Sequence, residues 1–497
     1  MKFIVTIALL ALLAATPRDP FAGYIVPDAV THHTLDARGK HLAYTARAGT
    51  IIIRDRDEKP QATMFYTAFT LDGANPQTRP ITFFYNGGPG SATLWLRMGS
   101  FGPVRVESGN AAPTLPPPYQ LRPNANTLLD QSDLVFVDMP ASGYGRILPG
   151  GDPKKVFGSD NDIAAFGQFI QRYLTRFGRW NSPKVLFGES YGTPRTAMLV
   201  DYLQNQGVGV NGIVLLSSIL NYNLASPETY GGANTDDWQY VFFLPTEAAT
   251  AWYYHAEQGP RMSLPAYVKE VTAFAMGPYR EALLAGSTLP PAQFNAIAQR
   301  LHDYTGLPLD YIRDSNLRLS GAKFRAEFRR DRGEDTGAYD SRYRLFTVDR
   351  TEEYPSNEPT DASITDAYIS LSNAYLHDTL EYHTNLPYLS SAYAAIAQAG
   401  GWDFTHLGTL PFNTVPDLQQ AMTTNPNLKV FSANGYYDSV TPWLATIYTL
   451  NHLSIPPQLR ANISYGFYPS GHMVYINSSA LTTFRSDLDT WYAKLAH

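Results

Sequence analysis

A serine between two glycines stands in the middle of the chain, in the run Gly188-Glu189-Ser190-Tyr191-Gly192. The apolar run Lys184–Phe187 precedes it and residues with helical spacing follow it. A strand, a glycine-flanked serine and a helix form the context of a nucleophile elbow, whose tight turn strains the serine backbone and leaves no room for neighbouring side chains. The pattern predicts that Ser190 is a nucleophile, and an ordinary strand-to-helix turn is the competing interpretation.

Two later residues have the right types and positions to activate this serine. The hydroxyl needs a base to accept its proton, and the base needs an acidic partner to fix its tautomer. The run Lys429–Phe431 leads through a glycine turn to Asp438, and the run Ile463–Phe467 ends shortly before His472. Serine, acid and histidine after successive sheet strands is the order of α/β-hydrolases, so we predict a triad of Ser190, Asp438 and His472. Taken singly, the last two would be more typical of a turn aspartate and a loop histidine.

A glycine-rich turn, Asn86 to Gly90, follows the apolar run Ile81–Tyr85. Acyl transfer needs donors for the charge that develops on the attacked carbonyl oxygen. Backbone N–H groups of this turn, together with the N–H of Tyr191, could supply them. A simple Gly-Pro loop is the alternative, and a phosphate-binding loop is disfavoured because no Lys-Ser or Lys-Thr follows.

The elements that must position these residues are short apolar runs, which are typical of buried parallel strands. They are residues 81–85, 134–137, 184–187, 213–216, 429–431 and 463–467. Helical spacing follows at Asp160–Phe177 and Pro194–Gln206. Upstream, residues 41–47, 50–54 and 62–71 are rich in β-branched and aromatic residues and indicate an antiparallel meander. We therefore predict an α/β-hydrolase fold, with a doubly wound, mostly parallel sheet preceded by that meander.

The pattern changes between residues 221 and 405, where strand signals give way to helical and loop-like stretches rich in Tyr, Arg and Glu. We interpret residues 221–405 as an inserted helical cap that divides the hydrolase core into residues 17–220 and 406–497. An independent second domain is the alternative. The proline-rich residues 111–123 predict a surface connection without regular structure. Three cap aromatics are expected in the cap core rather than on the cleft wall: Trp252, Tyr253 and Tyr254.

Composition excludes several classes of function. The chain is 44% hydrophobic, 13% aromatic and 16% charged, with a net charge of −6, which indicates a globular protein. No run of Lys and Arg would follow a phosphate backbone, so nucleic acid is not an expected partner. The absence of cysteine excludes disulfides, thiol catalysis and zinc-thiolate or iron–sulfur sites. His377 and His383 lack the spacing of a metal pair on one helix, and we expect no metal.

The first sixteen residues have the charged start and short apolar middle of a secretory signal peptide. We therefore expect residues 1–16 to be a signal and the protein to be exported, either periplasmic or secreted. The cleavage end is irregular because Pro17 follows it, so a buried N-terminal segment and a membrane anchor remain alternatives. No later apolar stretch is long enough for a membrane-spanning helix, which predicts no integral membrane segment in the mature chain.

Together, these motifs resemble the serine carboxypeptidase family, peptidase family S10. Members carry Asn-Gly-Gly-Pro-Gly, Gly-Glu-Ser-Tyr, a late Asp and a Gly-His pair in this order, as residues 86–90, 188–191, 438 and 471–472 do here. The resemblance implies an α/β-hydrolase without cofactors that acts on peptide substrates, removes their C-terminal residues and works best in acid.

The resemblance also implies roles for individual residues. Ser190, Asp438 and His472 would be the triad. The N–H groups of Gly88 and Tyr191 would form the oxyanion hole. The substrate's terminal carboxylate would bind to Asn86, the N–H of Gly87 and Glu189. Because Glu189 can face a carboxylate only if one of the two is protonated, binding should weaken as the pH rises.

The chain departs from the family pattern at two places. Ser91-Ala92-Thr93 stands where the family usually has Cys-Ser-Ser, which resembles the bacterial branch. Ser100 stands near the place of a glutamate that supports carboxylate recognition, before Phe101-Gly102-Pro103. Exopeptidase action therefore has less support than hydrolysis itself. The leading hypothesis is a serine-type carboxypeptidase; the alternatives are an esterase or acyltransferase with the same triad, and a catalytically silent binding protein.

Overall fold

A computed structural model describes residues 21–224, 237–259, 261–408 and 412–495 of the 497-residue chain. The predicted signal, residues 1–16, lies outside these residues, as do residues 225–236 of the predicted cap. Within the described residues no helix is both long enough and apolar enough to cross a membrane.

Thirteen strands can be defined along the described chain. They are β1 Ala29–Ala37, β2 Lys40–Arg54, β3 Pro60–Leu71, β4 Ile81–Tyr85, β5 Val104–Val106, β6 Leu121–Pro123, β7 Asp133–Val137, β8 Lys184–Glu189, β9 Gly212–Leu216, β10 Glu334–Thr336, β11 Arg344–Phe346, β12 Lys429–Gly435 and β13 Ile463–Tyr468.

Nine of these strands form one sheet in the order β1-β2-β3-β7-β4-β8-β9-β12-β13. The pairs from β1 to β7 are antiparallel, and those from β7 through β4, β8, β9 and β12 to β13 are parallel. The predicted mostly parallel sheet with an N-terminal antiparallel meander is confirmed, and all six apolar runs fall within its parallel strands.

The details of the meander differ from the prediction. The predicted strands at residues 41–47 and 50–54 are one continuous strand, β2, and its partner β1 was not predicted. Gly49 lies inside β2 and is not a turn residue. Its lack of a side chain is required by packing, because a Cβ there would lie 2.2 Å from a carboxylate oxygen of Asp28. This glycine permits a close approach of another side chain inside a strand.

Two further predictions on local structure need correction. Residues 111–123 are not wholly irregular, because β6 pairs antiparallel with β5. The last strand, β13, is an edge strand and not a buried one, since Tyr465 and Phe467 are exposed on it. An apolar run alone does not distinguish a strand covered on both faces from an edge strand.

Fourteen α-helices accompany the strands in the ranges that the structure describes. They are α1 Leu94–Gly99, α2 Ser159–Arg176, α3 Gly192–Asn205, α4 Trp238–Tyr254, α5 Leu264–Phe274, α6 Arg280–Ala285, α7 Pro291–Thr305, α8 Leu309–Asp314, α9 Gly321–Glu327, α10 Pro359–Ala374, α11 Tyr393–Gln398, α12 Val415–Thr424, α13 Trp443–Asn451 and α14 Ser478–Tyr492. The predicted helices at residues 160–177 and 194–206 are confirmed as α2 and α3.

Helices cover both faces of the sheet. One buried apolar cluster contains residues of α2, α3 and α12, and a second, on other strand residues, contains residues of α1, α10 and α14. Alternating residues along a strand point to opposite faces, which explains the two clusters. Burial of these clusters on both sides fixes the sheet and hence the loops at its edges.

A third apolar cluster belongs to the chain between β9 and β12. In this cluster, residues of helices α4 through α9 pack together with residues of α13, the helix that follows β12. Trp252 packs against this cluster, as predicted, whereas Tyr253 is 36% exposed and the core prediction is wrong for it. The hydroxyl of Tyr254 donates to the carbonyl of Arg342 at 2.7 Å.

Helices α2 and α12 are connected through one histidine. His406 is 8% exposed, its Nδ1 lies 2.6 Å from Asp160 and its Nε2 lies 3.0 Å from Asp417. Burial lowers the pKa of His406, but hydrogen bonds with Asp417 and Asp160 outweigh burial and raise the pKa to about 9. The imidazole is therefore charged at neutral pH.

We expect His406→Gln to lower the free energy of unfolding by about 1–3 kcal/mol at pH 6, because a charged hydrogen-bonded pair is lost beside a buried carboxylate. A group whose pKa is raised in the folded state stabilises that state fully below the unfolded pKa of 6.5. This stabilisation is lost as the pH rises through the folded pKa of about 9. Urea unfolding at pH 6 and pH 10 measures the free energy of unfolding of wild type and variant. His377→Gln, at an exposed Asp378 pair, is the control. An equal difference between wild type and His406→Gln at both pH values would contradict this charge assignment.

Candidate active site

The turn at Ser190 has the strained backbone of a nucleophile elbow. Ser190 has a φ of 59°, a region that residues with a side chain seldom adopt. A Cβ at Gly188 would lie 2.0 Å from the carbonyl oxygen of Gly192, and a Cβ at Gly192 would lie 2.9 Å from the carbonyl oxygen of Tyr85. The two glycines are therefore required by close backbone contacts on both sides of the serine.

The predicted triad residues follow three strands of the parallel sheet, so they lie at the same edge. Ser190 follows β8, Asp438 follows β12 and His472 follows β13. The N–H of Ser190 donates to the carbonyl of Leu216 at the end of β9. The next residue, Ser217, donates from its hydroxyl to the carbonyl of His472 at 2.6 Å. These two bonds connect the serine loop to the histidine loop across β9.

Asp438 and His472 form a buried hydrogen-bonded pair. The Nδ1 of His472 lies 2.9 Å from Oδ2 of Asp438, and both side chains are almost fully buried. The N–H groups of Val440 and Thr441 donate to the other carboxylate oxygen, both at 2.9 Å. The hydroxyl of Thr441 donates to Oδ2 at 2.6 Å. The carboxylate is therefore held by several donors and can fix the orientation of the imidazole.

The electrostatic surroundings of His472 favour its charged form. Burial lowers its pKa, but the carboxylates of Asp438, Glu189 and Asp361 raise it, so that the pKa lies above its usual value. An imidazole that readily accepts a proton is suited to act as a general base. No hydrogen bond joins the Ser190 hydroxyl to His472 among the described residues; in unliganded sites such bonds are often long and shorten when substrate binds.

The glycine-rich turn after β4 lies directly against the elbow. A Cβ at Gly87 would lie 2.4 Å from the amide nitrogen of Tyr191. In the described part of the chain, the N–H groups of Gly87, Gly88 and Tyr191 donate no hydrogen bond. Three backbone donors without acceptors beside a half-buried serine are the arrangement that an oxyanion or a carboxylate can bind.

Glu189 is a buried carboxyl group at the centre of the site. Only 3% of the residue is exposed, and it accepts from Nδ2 of Asn86 at 2.9 Å and from the hydroxyl of Tyr475 at 2.9 Å. Burial raises the pKa of Glu189 to about 7, against the lowering effects of His472, Tyr475 and Asn86. Glu189 can therefore carry a proton near neutral pH.

Ser100 is not among the described hydrogen-bond partners of the Glu189 carboxyl group. It is fully buried and its hydroxyl donates to the carbonyl of Leu96 in α1, the helix that Ser100 directly follows. The second partner of Glu189 is Tyr475, which follows His472 by three residues and was not predicted. Burial raises the pKa of Tyr475 well above its usual value, so its hydroxyl remains a donor.

A hairpin from the segment between β9 and β12 reaches the site. Strands β10 and β11 flank a turn, residues 337–343, that contacts both triad loops. The N–H of His472 donates to the carbonyl of Tyr339 at 2.5 Å, and the N–H of Ser439 donates to the carbonyl of Ala338 at 2.9 Å. The ring of Tyr339 lies 5.4 Å from that of His472. The hairpin turn thus fixes the loops that carry Asp438 and His472.

The carboxylate of Asp340 anchors this turn. It is fully buried, pairs with Arg342 at 2.5 Å and accepts from the N–H of Gly471 at 3.0 Å. A single carboxylate therefore connects the hairpin to the residue before His472. No motif in the sequence indicates this contact, because residues 340 and 471 are far apart in the chain.

Side chains that could bind a metal ion are not clustered in the described residues. In the described ranges, no three His, Cys, Asp or Glu side chains are grouped so that they could hold a metal ion. The rings of His377 and His383 lie 4.7 Å apart but belong to no such group.

Comparison with known proteins relates this site to one family. The model of the serine carboxypeptidases, peptidase family S10, matches residues 43–225. This range contains the glycine-rich turn and the serine elbow. The predicted resemblance is therefore confirmed over this part of the chain.

Curated relatives match the chain only in part. Serine carboxypeptidase-like 44 of Arabidopsis thaliana is 27% identical over 167 residues, which are 33% of this chain and 32% of the relative. The pheromone-processing carboxypeptidase KEX1 of Saccharomyces cerevisiae is 28% identical over 156 residues, 29% of this chain and 20% of the relative. The matches thus span a third or less of these relatives' length.

The structure of a prohormone-processing carboxypeptidase, Kex1, from Saccharomyces cerevisiae is similar over a much longer range. It aligns with 90% of this chain and 91% of its own, with a TM-score of 0.54 and 15% identity. The fold is thus an α/β-hydrolase fold of this kind along nearly the whole chain.

We expect Asp340→Asn to slow acylation of Ser190 by an activated ester about tenfold, because Gly471 and the adjacent His472 lose a charged acceptor that fixes their position. Burst kinetics measure the rate and circular dichroism checks the fold. Asp335→Asn, at a buried carboxylate on β10 of the same hairpin, should leave the rate unchanged. If Asp340→Asn folded and reacted at the wild-type rate, the proposed anchoring would be wrong.

Proposed function

We propose that the chain is a serine-type carboxypeptidase that removes C-terminal residues from peptides through an acyl-enzyme on Ser190. The observation that supports this most is Glu189, a buried carboxyl with a pKa of about 7, hydrogen bonded to Asn86 and next to the serine. A protonated carboxyl can donate to a carboxylate, whereas a site for an uncharged ester has no need of it.

In this proposal the triad acts in the usual roles. Ser190 attacks the carbonyl of the last peptide bond while His472 accepts its proton, and Asp438 stabilises the imidazolium that forms. His472 then gives the proton to the amine of the departing residue. Water attacks the acyl-enzyme in the second half of the cycle, with His472 again as the base. No metal or organic cofactor takes part.

Two sets of donors are assigned to the substrate. The N–H groups of Gly88 and Tyr191 bind the oxyanion of the tetrahedral intermediate. Asn86, the N–H of Gly87 and Glu189 bind the terminal carboxylate of the departing residue. The contact between Gly87 and Tyr191 supports this division, because it puts the two sets side by side.

We also propose a division of the chain into a hydrolase core and an inserted cap. In this proposal residues 17–220 and 406–497 are the hydrolase core and residues 221–405 the inserted cap, of which α10 packs on the sheet together with α1 and α14. The hairpin turn at Tyr339 supports a role of this cap in the site, since it contacts His472. We also propose that residues 1–16 direct export, to the periplasm or the medium.

An esterase or acyltransferase with the same triad is the second candidate. The observation that favours it is Ser100, whose hydroxyl donates to the carbonyl of Leu96 in the preceding helix and which supplies no second carboxyl to the site. Such an enzyme would react at Ser190 but would not distinguish a peptide acid from its amide.

We expect a peptide with a free C-terminus to be cleaved at least about tenfold more efficiently than its C-terminally amidated twin, because the amide cannot form the charge-assisted bonds of the carboxylate. The measurement is the acid-to-amide ratio, that is, kcat/KM for the peptide acid divided by kcat/KM for the amide, followed by mass spectrometry at pH 5. Ser190→Ala is the control for contaminating peptidases. Equal cleavage of acid and amide would contradict carboxypeptidase action and favour the esterase.

We expect the acid-to-amide ratio to fall as the pH rises through about 7, since Glu189 then loses the proton it needs to face a carboxylate. The ratio cancels the effect of His472 titration, which both substrates share. In Glu189→Gln the amide cannot ionise, so the ratio should be independent of pH between 5 and 9. A ratio that falls equally in this variant would show that another group controls carboxylate binding.

A further inference from the structure

One buried arginine touches both parts of the site without being able to meet a substrate. Arg195 lies in α3, one turn after the elbow, and is fully buried. Its Nη1 donates to the carbonyl oxygen of Asn86 at 2.7 Å. Its guanidinium also lies 5.2 Å from the ring centre of Tyr191. The charge therefore lies behind the glycine-rich turn and the elbow.

The arginine is held in place by a carboxylate of another helix. Asp162, in the first turn of α2, accepts from Nε of Arg195 at 2.7 Å and from Nη2 at 3.3 Å. Both side chains are completely removed from solvent. Burial raises the pKa of Asp162, and the guanidinium counteracts this. This two-bond geometry leaves Nη1 directed at Asn86.

Stability alone is a poor explanation for this pair. Removing two charges from water costs several kcal/mol, and replacing a buried ion pair by apolar groups is often neutral or stabilising. A specific geometric requirement is a better reason for such a group. Among the described residues, the one backbone carbonyl that accepts from the guanidinium of Arg195 is that of Asn86.

The carbonyl of Asn86 belongs to the same peptide plane as the N–H of Gly87. Because a peptide unit is planar and trans, fixing the oxygen fixes the direction of the N–H on the opposite side. A cation on the oxygen also polarises the amide and makes its N–H a stronger donor. The N–H of Gly87 has no acceptor among the described residues, so it remains available for a ligand.

We propose that Arg195, oriented by Asp162, is a positioning residue that aims and polarises the Asn86–Gly87 peptide toward the substrate carboxylate. The inference rests on the proposed carboxypeptidase function. It adds a second source of carboxylate recognition to Glu189, one that works through the backbone. It also explains why a chain with Ser100 in place of a glutamate could still select a free C-terminus.

The test compares two buried arginines. Arg195→Lys keeps a positive charge but cannot contact Asp162 and Asn86 together in the same way. Arg179→Lys is the matched control, because Arg179 is a buried partner of Asp133 at the other end of the sheet, where β7 begins. Both variants should lose stability, but only Arg195→Lys should affect recognition.

For Arg195→Lys we expect KM for the peptide acid to rise about tenfold, with KM for the amidated peptide and kcat changed much less. The acid-to-amide ratio therefore falls, whereas in Arg179→Lys it equals that of wild type. If Arg195→Lys does not fold, Asp162→Asn tests the inference instead, and its acid-to-amide ratio should be about threefold lower than that of wild type.

Three outcomes are distinguishable. A wild type that cleaves acid and amide equally would overturn the proposed function itself. If wild type prefers the acid but a folded Arg195→Lys has the wild-type acid-to-amide ratio, only this inference is overturned. If Arg195→Lys is unfolded, a wild-type ratio in Asp162→Asn overturns the inference in the same way. A ratio lowered equally in Arg179→Lys would show a general effect of stability and would also overturn it.

Discussion

Parallel alignment of four strands is the constraint on which the site depends. Strands β8, β9, β12 and β13 run in the same direction, so the loops that follow them meet at one edge of the sheet. Burial of apolar side chains on both faces fixes this alignment. The hydrogen bond from Ser217 to the carbonyl of His472 shows how closely these loops approach each other.

A second layer of buried polar contacts fixes the loops themselves. Asp340 holds the histidine loop from the hairpin, and Arg195 holds the glycine-rich turn from behind the elbow. Both are charged, fully buried and satisfied by several partners. Such groups are costly to bury, which is consistent with a role in exact placement rather than in overall stability. Glu189 differs from them, because its raised pKa leaves it ready to exchange a proton.

Much of the fold could be predicted from local patterns. Apolar runs identified the parallel strands, and the glycine-flanked serine identified the elbow, because each pattern reflects contacts within a few residues. The prediction failed where long-range contacts decide: Gly49 resembled a turn but accommodates Asp28, and β13 resembled a buried strand but lies at the edge. Tyr475, Asp340 and Arg195 could not be found for the same reason, since their partners are distant in sequence.

Ser190, Asp438 and His472 are proposed to act as one catalytic unit. The most direct measurement is the rate at which a fluorophosphonate modifies the protein, with the modified residue located by peptide mass spectrometry. We expect modification at Ser190 alone, at a rate that is about a thousandfold or more lower in His472→Ala. A folded protein that is unmodified at Ser190, or modified equally fast without His472, would contradict it.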